Sequence, residues 1–174
     1  MTSHRGAPRR SSGVTDVPLP PFSALLEAHG GALLRYLRAA VGPDQADDCF
    51  QDTVLAALRA YDRLEHRANL RGWLFVIARR KVLDAHRARG RQPASTADPP
   101  DTPVSPPEPQ DDTVWKALAR LAPGQRDALA LRVGADLDYA EVARVLECSE
   151  AAARQRVKAG LDRLRQDRLL EAQR

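Results

Sequence analysis

Arg154, Gln155 and Lys158 lie within five positions and carry the donor set that suits duplex DNA. A guanidinium bonds bidentately to guanine, a carboxamide pairs with adenine, and an ammonium neutralises phosphate. A second cluster comprises Arg79, Arg80, Lys81, Arg87, Arg89 and Arg91, six cations within 13 positions and only Asp84 opposing them. Solvated faces usually mix signs, so a single-sign run favours phosphate contact. Just before it, the loop from Glu65 to Asn69 offers His66, Arg67 and Asn69, which can bond the edges of an unpaired base. A third constellation is acidic: Asp48, Gln51, Asp52 and Leu55 follow i, i+3, i+4, i+7 spacing and so share one helical stripe. Together with Asp44 and Asp47 these acids suit a helix N-terminus. The stripe with its exposed leucine also suits docking on a partner helix.

These groups must be positioned by helices. Residues 22–91 read as helical throughout. Phe22, Leu25, Leu26, His29, Leu33, Leu34 and Leu37 predict an amphipathic first helix, with a break near Gly30-Gly31. After Gly42-Pro43, Asp44 is expected to cap a second helix through about Arg63, with Phe50, Val54, Ala57, Leu58 and Tyr61 on its apolar side. A third helix runs from about Leu70 to Arg89. Its Trp73 and Phe75 are expected in the core, and Ile77, Ala78, Val82 and Ala85 point away from the cations.

Residues 1–21 read as a disordered, proline-punctuated tail. Residues 92–112 hold seven of the chain's 13 prolines together with Asp98, Asp101, Glu108, Asp111 and Asp112. Such a stretch continues no helix and reads as an acidic, extended linker.

Beyond it, residues 113–174 are helical again. Val114, Leu118 and Leu121 mark a first helix that stops by Pro123-Gly124, and a second covers about Gln125–Val133. Asp138 with Glu141 three positions on fits a capping box before a short helix, Tyr139–Leu146. A turn at Glu147-Cys148-Ser149 follows, and Ser149 caps a last helix through about Arg168. A short helix, a tight turn and a longer basic helix make a helix-turn-helix. Val157, Leu161 and Leu164 give the second of these a buried side.

The 174 residues carry 27 Lys+Arg and 23 Asp+Glu, a net charge of +4, so the placement of charge matters more than its total. Aromatic residues make up 5% and β-branched residues are scattered, which favours helix over strand. Cys49 and Cys148 are too far apart in sequence for a metal-ligand pair and read as small core residues of a reduced cytoplasmic protein. His4, His29, His66 and His86 are dispersed. No apolar run approaches the roughly 18 residues a membrane span needs, and no apolar segment follows Arg5, Arg9 and Arg10 as in a signal peptide. No phosphate-cradling glycine loop, metal cluster or nucleophile–base pair stands out, so no cofactor, metal or catalysis is expected.

Several of these segments together resemble the extracytoplasmic-function class of bacterial sigma factors. Ala46-Asp47-Asp48-Cys49-Phe50-Gln51-Asp52-Thr53 is similar to the family's polymerase-docking motif, and Trp73-Leu74-Phe75-Val76-Ile77-Ala78-Arg79-Arg80 to its promoter-melting helix. Asp138-Tyr139-Ala140-Glu141-Val142-Ala143 with Cys148-Ser149 resembles its C-terminal helix-turn-helix.

The resemblance implies an all-α fold of two small domains, a three- or four-helix region 2 over 22–91 and a four-helix region 4 over 113–174. It implies that Asp48, Gln51, Asp52 and Leu55 dock on the clamp helices of the polymerase largest subunit, with the flap as a further contact of core polymerase. His66, Arg67 and Asn69 would capture a flipped base of the −10 element, and Arg79, Arg80, Lys81 and Arg87 would hold the melted strand. Arg154, Gln155, Arg156 and Lys158 would read or grip the −35 element. An anti-sigma protein is a further implied partner. Three departures stand out: Glu147 where the family often has Gly, Ala151-Ala152-Ala153 at the start of the recognition helix, and Gly160-Leu161 where small and basic residues are common.

Independently of any family, 21 extended linker residues span about 65–70 Å, while sites ~18 base pairs apart lie about 60 Å apart at ~3.4 Å per pair. One module can therefore sit at each site, and tethering raises the effective concentration of the second. The rival reading is a stand-alone helix-turn-helix regulator that binds duplex DNA without polymerase and has no use for the acidic stripe.

Overall fold

The computed structural model describes residues 19–64, 69–91 and 112–172. The tail (1–18), most of the 65–69 loop and the linker as far as residue 111 lie outside the described residues. Every regular element among the described residues is helical. Helices α1 (Phe22–Val41), α2 (Pro43–Tyr61) and α3 (Leu70–Arg91) form the N-terminal unit. Helices α4 (Asp112–Ala119), α5 (Pro123–Leu129), α6 (Tyr139–Val145) and α7 (Glu150–Ala172) form the C-terminal one.

In the N-terminal unit each helix packs on the other two. Leu33, Tyr36, Leu37 and Ala40 of α1 meet Leu74, Phe75, Ala78 and Val82 of α3, all fully buried. The Tyr36 and Phe75 rings meet edge-on at 5.8 Å. Tyr61 closes the bundle's end, edge-on to Phe22 at 5.1 Å and donating its hydroxyl to the Pro20 carbonyl at 2.8 Å.

Three details correct the sequence expectations. Helix α1 runs unbroken through Gly30-Gly31. Each helical glycine costs about 1 kcal/mol against alanine, which the burial of Leu33, Tyr36 and Leu37 outweighs. Asp44 does not cap α2. Pro43, whose φ is already helical and which has no N–H to satisfy, takes the first helical position, and Gly42 at φ 89° makes the turn. The buried line of α2 is Ala46, Cys49, Thr53, Ala57 and Tyr61, whereas Leu58 is 50% exposed beside Leu55 at 48%. Thr53 is buried without loss because its hydroxyl donates to the Cys49 carbonyl at 2.7 Å.

In the C-terminal unit α7 is the spine, contacting α4, α5 and α6. Buried Ala153, Val157 and Gly160 form its inner face, with Gly160 set against Gln125 of α5. The first helix here ends at Ala119, and Pro123 and Gly124 open α5 rather than terminate α4. After Leu129 the chain widens into one π-helical turn, Ala130–Gly134, whose register shift delivers Leu131 and Leu137 to the core.

The two units are not separate in this structure. Helix α1 packs against the π-helical turn, α5 and α4, α3 packs against α6, and the buried apolar residues form one continuous cluster.

Candidate polymerase and promoter surfaces

The helix-turn-helix is built as its sequence requires. Asp138 accepts from the Glu141 amide at 2.7 Å, and the Glu141 carboxylate accepts from the Asp138 amide at 3.1 Å, a complete capping box at the start of α6. Helix α6 ends in a Schellman turn: the Cys148 amide donates to Ala143 at 2.9 Å and the Glu147 amide to Arg144 at 3.3 Å. The residue in the left-handed position is Glu147, at φ 52°. Ser149 then caps α7, accepting from the Ala152 amide at 3.2 Å.

On α7, Arg154, Gln155 and Lys158 are exposed, while Ala153 and Val157 face inward. Arg154 is pre-oriented. Its guanidinium bonds Glu150 at 2.9 Å and lies 5.0 Å from the Tyr139 ring, which holds Arg132 at 5.3 Å as well. Arg156 stands apart from this outward group. It is half-buried beside Gly124, and its charge bears on Asp127.

The cations of α3 do not share one face. Arg80 and Arg87 are exposed, and Arg87 pairs with Asp84 at 3.3 Å. Lys81 is half-buried on the side of α2, lining a groove with Asp48, Cys49 and Asp52. Arg79 is half-buried with its Nε buried, and its charge bears on Asp127 of the C-terminal unit. Arg89 donates to the Val41 carbonyl and the Gln45 side chain, joining α3 to the α1–α2 corner. The helical period scatters a 13-residue run around its axis, and the bundle and the second unit then give each arginine a different neighbour.

Asn69 begins α3 and its Oδ1 accepts from the Gly72 amide at 2.6 Å, as an N-cap does. Its amide nitrogen remains for other partners. A Cβ at position 72 would meet the Asn69 side chain at 2.9 Å, so the glycine leaves room for this cap. His66 and Arg67 lie outside the described residues. Asp48, Gln51, Asp52 and Leu55 are all exposed along α2, and Leu58 extends their stripe with a second apolar side chain.

Cys49 is buried and its thiol is pushed up to about 11, by burial first and the Asp52 charge second. That makes it an unreactive core thiol. Both cysteines are free. Among the described residues no cluster of ligating side chains suits a metal ion, and no helix is long and apolar enough to cross a membrane. Asp127, 6% exposed, has its carboxyl pKa raised by burial against the opposing pull of Arg79, His86, Arg126 and Arg156. Nothing around position 127 in the sequence marks this acid as buried.

Comparison with known proteins matches residues 25–92 to sigma-70 region 2 and residues 111–164 to sigma-70 region 4. The chain is 34% identical over 151 residues to the ECF RNA polymerase sigma factor ShbA of Streptomyces griseus, covering 76% of this chain and 79% of that one. It therefore belongs to the ECF sigma factors. A second relative, the ECF sigma factor SigD of Mycobacterium tuberculosis, is 33% identical over 161 residues, with 82% of this chain and 74% of that one covered.

Among solved structures, the fold is similar to the sigma factor RpoE in complex with the anti-sigma factor NepR from Bartonella quintana. That match has a TM-score of 0.69 and 28% identity, covering 88% of this chain and 98% of that chain. CnrH, solved with the cytosolic domain of CnrY, matches at a TM-score of 0.64 and 27% identity, covering 87% and 88%. As an ECF sigma factor the chain directs RNA polymerase to promoters in transcription initiation, through a region 2 and a region 4 domain.

Proposed function

We propose that residues 22–91 dock on core polymerase and hold the melted −10 strand, that 113–174 read the −35 element, and that 92–112 join the two. The observation that carries this division is the contrast between two exposed surfaces. Helix α2 presents carboxylates beside Leu55 and Leu58, a surface that DNA repels and a protein helix fits. Helix α7 presents Arg154, Gln155 and Lys158 from a capped helix-turn-helix, a surface suited to the major groove.

On this reading Asp48, Gln51, Asp52 and Leu55 bind the clamp helices of the largest subunit, and the flap receives region 4. His66, Arg67 and Asn69 capture an extruded base, while Arg80 and Arg87 lie along the strand's phosphates. Arg79 and Lys81 join them once their present neighbours, Asp127 and the α2 acids, move or are screened. Arg156 buttresses α7 and grips phosphate rather than reading bases. The chain catalyses no reaction: melting follows because unpaired bases and phosphates gain partners that the duplex lacks.

The protein works in the cytoplasm, beside the polymerase. Two relatives of similar fold were solved with anti-sigma partners, which supports an anti-sigma protein as a further partner. A stand-alone regulator would leave the acidic–apolar stripe unused.

Transcription in vitro with core polymerase and a genomic promoter library tests the reading. Start-site selection that requires the chain, and that is lost with Asp48→Arg/Asp52→Arg, is the expected result. Binding of duplex promoter that is indifferent to core polymerase overturns it.

A further inference from the structure

Tyr139 stands at the crossing of the helix-turn-helix and has no part in the surfaces assigned above. It occupies the first position of α6, directly after Asp138, so the capping box fixes its backbone. Its ring is half-buried and packs against the core. Two guanidiniums lie over that ring, Arg132 at 5.3 Å and Arg154 at 5.0 Å from its centre. Arg132 is itself held, donating to the Leu137 carbonyl at 3.0 Å and pairing with Asp136 at 3.5 Å. The ring is a fixed platform that serves one arginine of the π-helical turn and one of the recognition helix.

Arg154 therefore has two anchors, and they differ in what they leave free. The Glu150 carboxylate takes the Nη2 donor at 2.9 Å. A base edge needs the same in-plane donors, so carboxylate and base compete for them. An aromatic face attracts the positive charge of the guanidinium as a whole and consumes no N–H. The fork of donors stays available while the ring holds the group. Arginine is also rich in rotamers, and fixing it during binding costs affinity. A platform already in place removes part of that cost. Arg154 sits within the first two turns of α7, the end of a recognition helix that meets base edges.

We propose that Tyr139 is a positioning residue for promoter reading: its ring holds the Arg154 guanidinium with the donor fork unspent, and through it selects guanine at one position of the −35 element. This rests on the reading that α7 enters the −35 major groove. Guanine is the base selected because its N7 and O6 are adjacent acceptors that match the fork, whereas adenine sets a donor beside N7. Glu150 holds the arginine in the absence of DNA and yields it to the base.

Holoenzyme reconstituted from the full chain and core polymerase, on a promoter that it transcribes, makes the test. Each guanine of the −35 element, on either strand, is replaced in turn by 7-deazaguanine, which lacks the N7 acceptor and keeps O6. The ratio of Kd on the altered and the natural duplex is read for each protein. The wild type should show a ratio of about ten at one guanine, and Arg154→Ala a ratio near one there. Tyr139→Phe keeps the ring face and should keep the wild-type ratio. Tyr139→Leu keeps an apolar side chain without the ring, and its ratio should fall below about two. Because each ratio is taken within one protein, partial unfolding of a variant shifts both Kd values together and cancels. A ring that mattered only for packing would weaken binding to both duplexes and leave the ratio unchanged.

A Tyr139→Leu protein that keeps the full ratio overturns the proposal, because Arg154 then finds its pose without the ring. Loss of the ratio in Tyr139→Phe overturns it too, by assigning the effect to the hydroxyl. Both results leave Arg154 as a reader of the −35 element. An Arg154→Ala protein as sensitive as the wild type, or a wild type insensitive at every guanine, instead removes Arg154 as a guanine reader, and the proposal falls with that assignment.

Discussion

Glu147→Gly should stabilise the chain, and the structure fixes both the reason and the size. Glu147 sits at φ 52°, in the left-handed region, as the C′ residue of the Schellman turn that closes α6. A side chain with a Cβ costs about 1–2 kcal/mol there, and glycine removes that cost. Against this, glycine enlarges the conformational freedom of the unfolded chain, a penalty of about 0.4–1 kcal/mol. Glu147 is exposed and its side chain accepts no bond of the turn, so packing contributes nothing to the balance.

Removing a carboxylate next to the negative end of a helix adds about 0.3–1 kcal/mol at low salt. Alanine at the same position gains this charge contribution but keeps the strained Cβ. The difference between Glu147→Gly and Glu147→Ala therefore isolates the backbone contribution, about 0.5–1 kcal/mol in favour of glycine. For a chain of this length that is a Tm difference of about 1–4 °C. Calorimetric melts of the three proteins at 0.1 M salt make the measurement. If glycine is no more stable than alanine, position 147 is not held left-handed by the turn and the reasoning fails.

Four further outcomes are expected. Asn69→Asp keeps the oxygen that caps α3 and should leave the Tm within about 1 kcal/mol equivalent of wild type, while the loss of the amide donors weakens open-complex formation scored by permanganate footprinting. Arg154→Ala should weaken −35 recognition by about 1–3 kcal/mol in gel shifts of reconstituted holoenzyme and leave core-polymerase pull-down unchanged; an equal loss in both would undo the proposed division of labour. Burial lowers the pKa of His29, with Arg71 adding to the effect and Glu141 opposing it, and burial likewise lowers that of His86. The folded state therefore binds fewer protons at these two histidines than the unfolded one near pH 6, and their contribution should lower Tm from pH 7.5 to 5.5, a fall that shrinks in His29→Gln/His86→Gln; the raised Asp127 pKa acts in the opposite sense. Tyr36→Phe deletes a buried hydroxyl without a partner while keeping the edge-on contact with Phe75, and should raise stability by about 1 kcal/mol in urea melts; a loss of that size would mean the hydroxyl has a partner.

Local chemistry was legible and long-range packing was not. The capping box at Asp138 and Glu141 and the Ser149 cap each depend on a few adjacent residues, and each stands where the sequence puts it. So does the core role of Phe75, which follows from helical period alone. Expectation and structure part where two signals compete at one place. Gly30-Gly31 reads as a break by propensity, which the buried Leu33 and Tyr36 beyond it override. Asp44 reads as a cap by residue type, but Pro43 takes the first turn of α2. The π-helical turn has no sequence mark, since its residues suit an α-helix equally well. For the candidate site, the α7 readers could be placed from helical period, but the division of the α3 cations among solvent, α2 and region 4 could not. It depends on what lies across a joint between segments far apart in sequence.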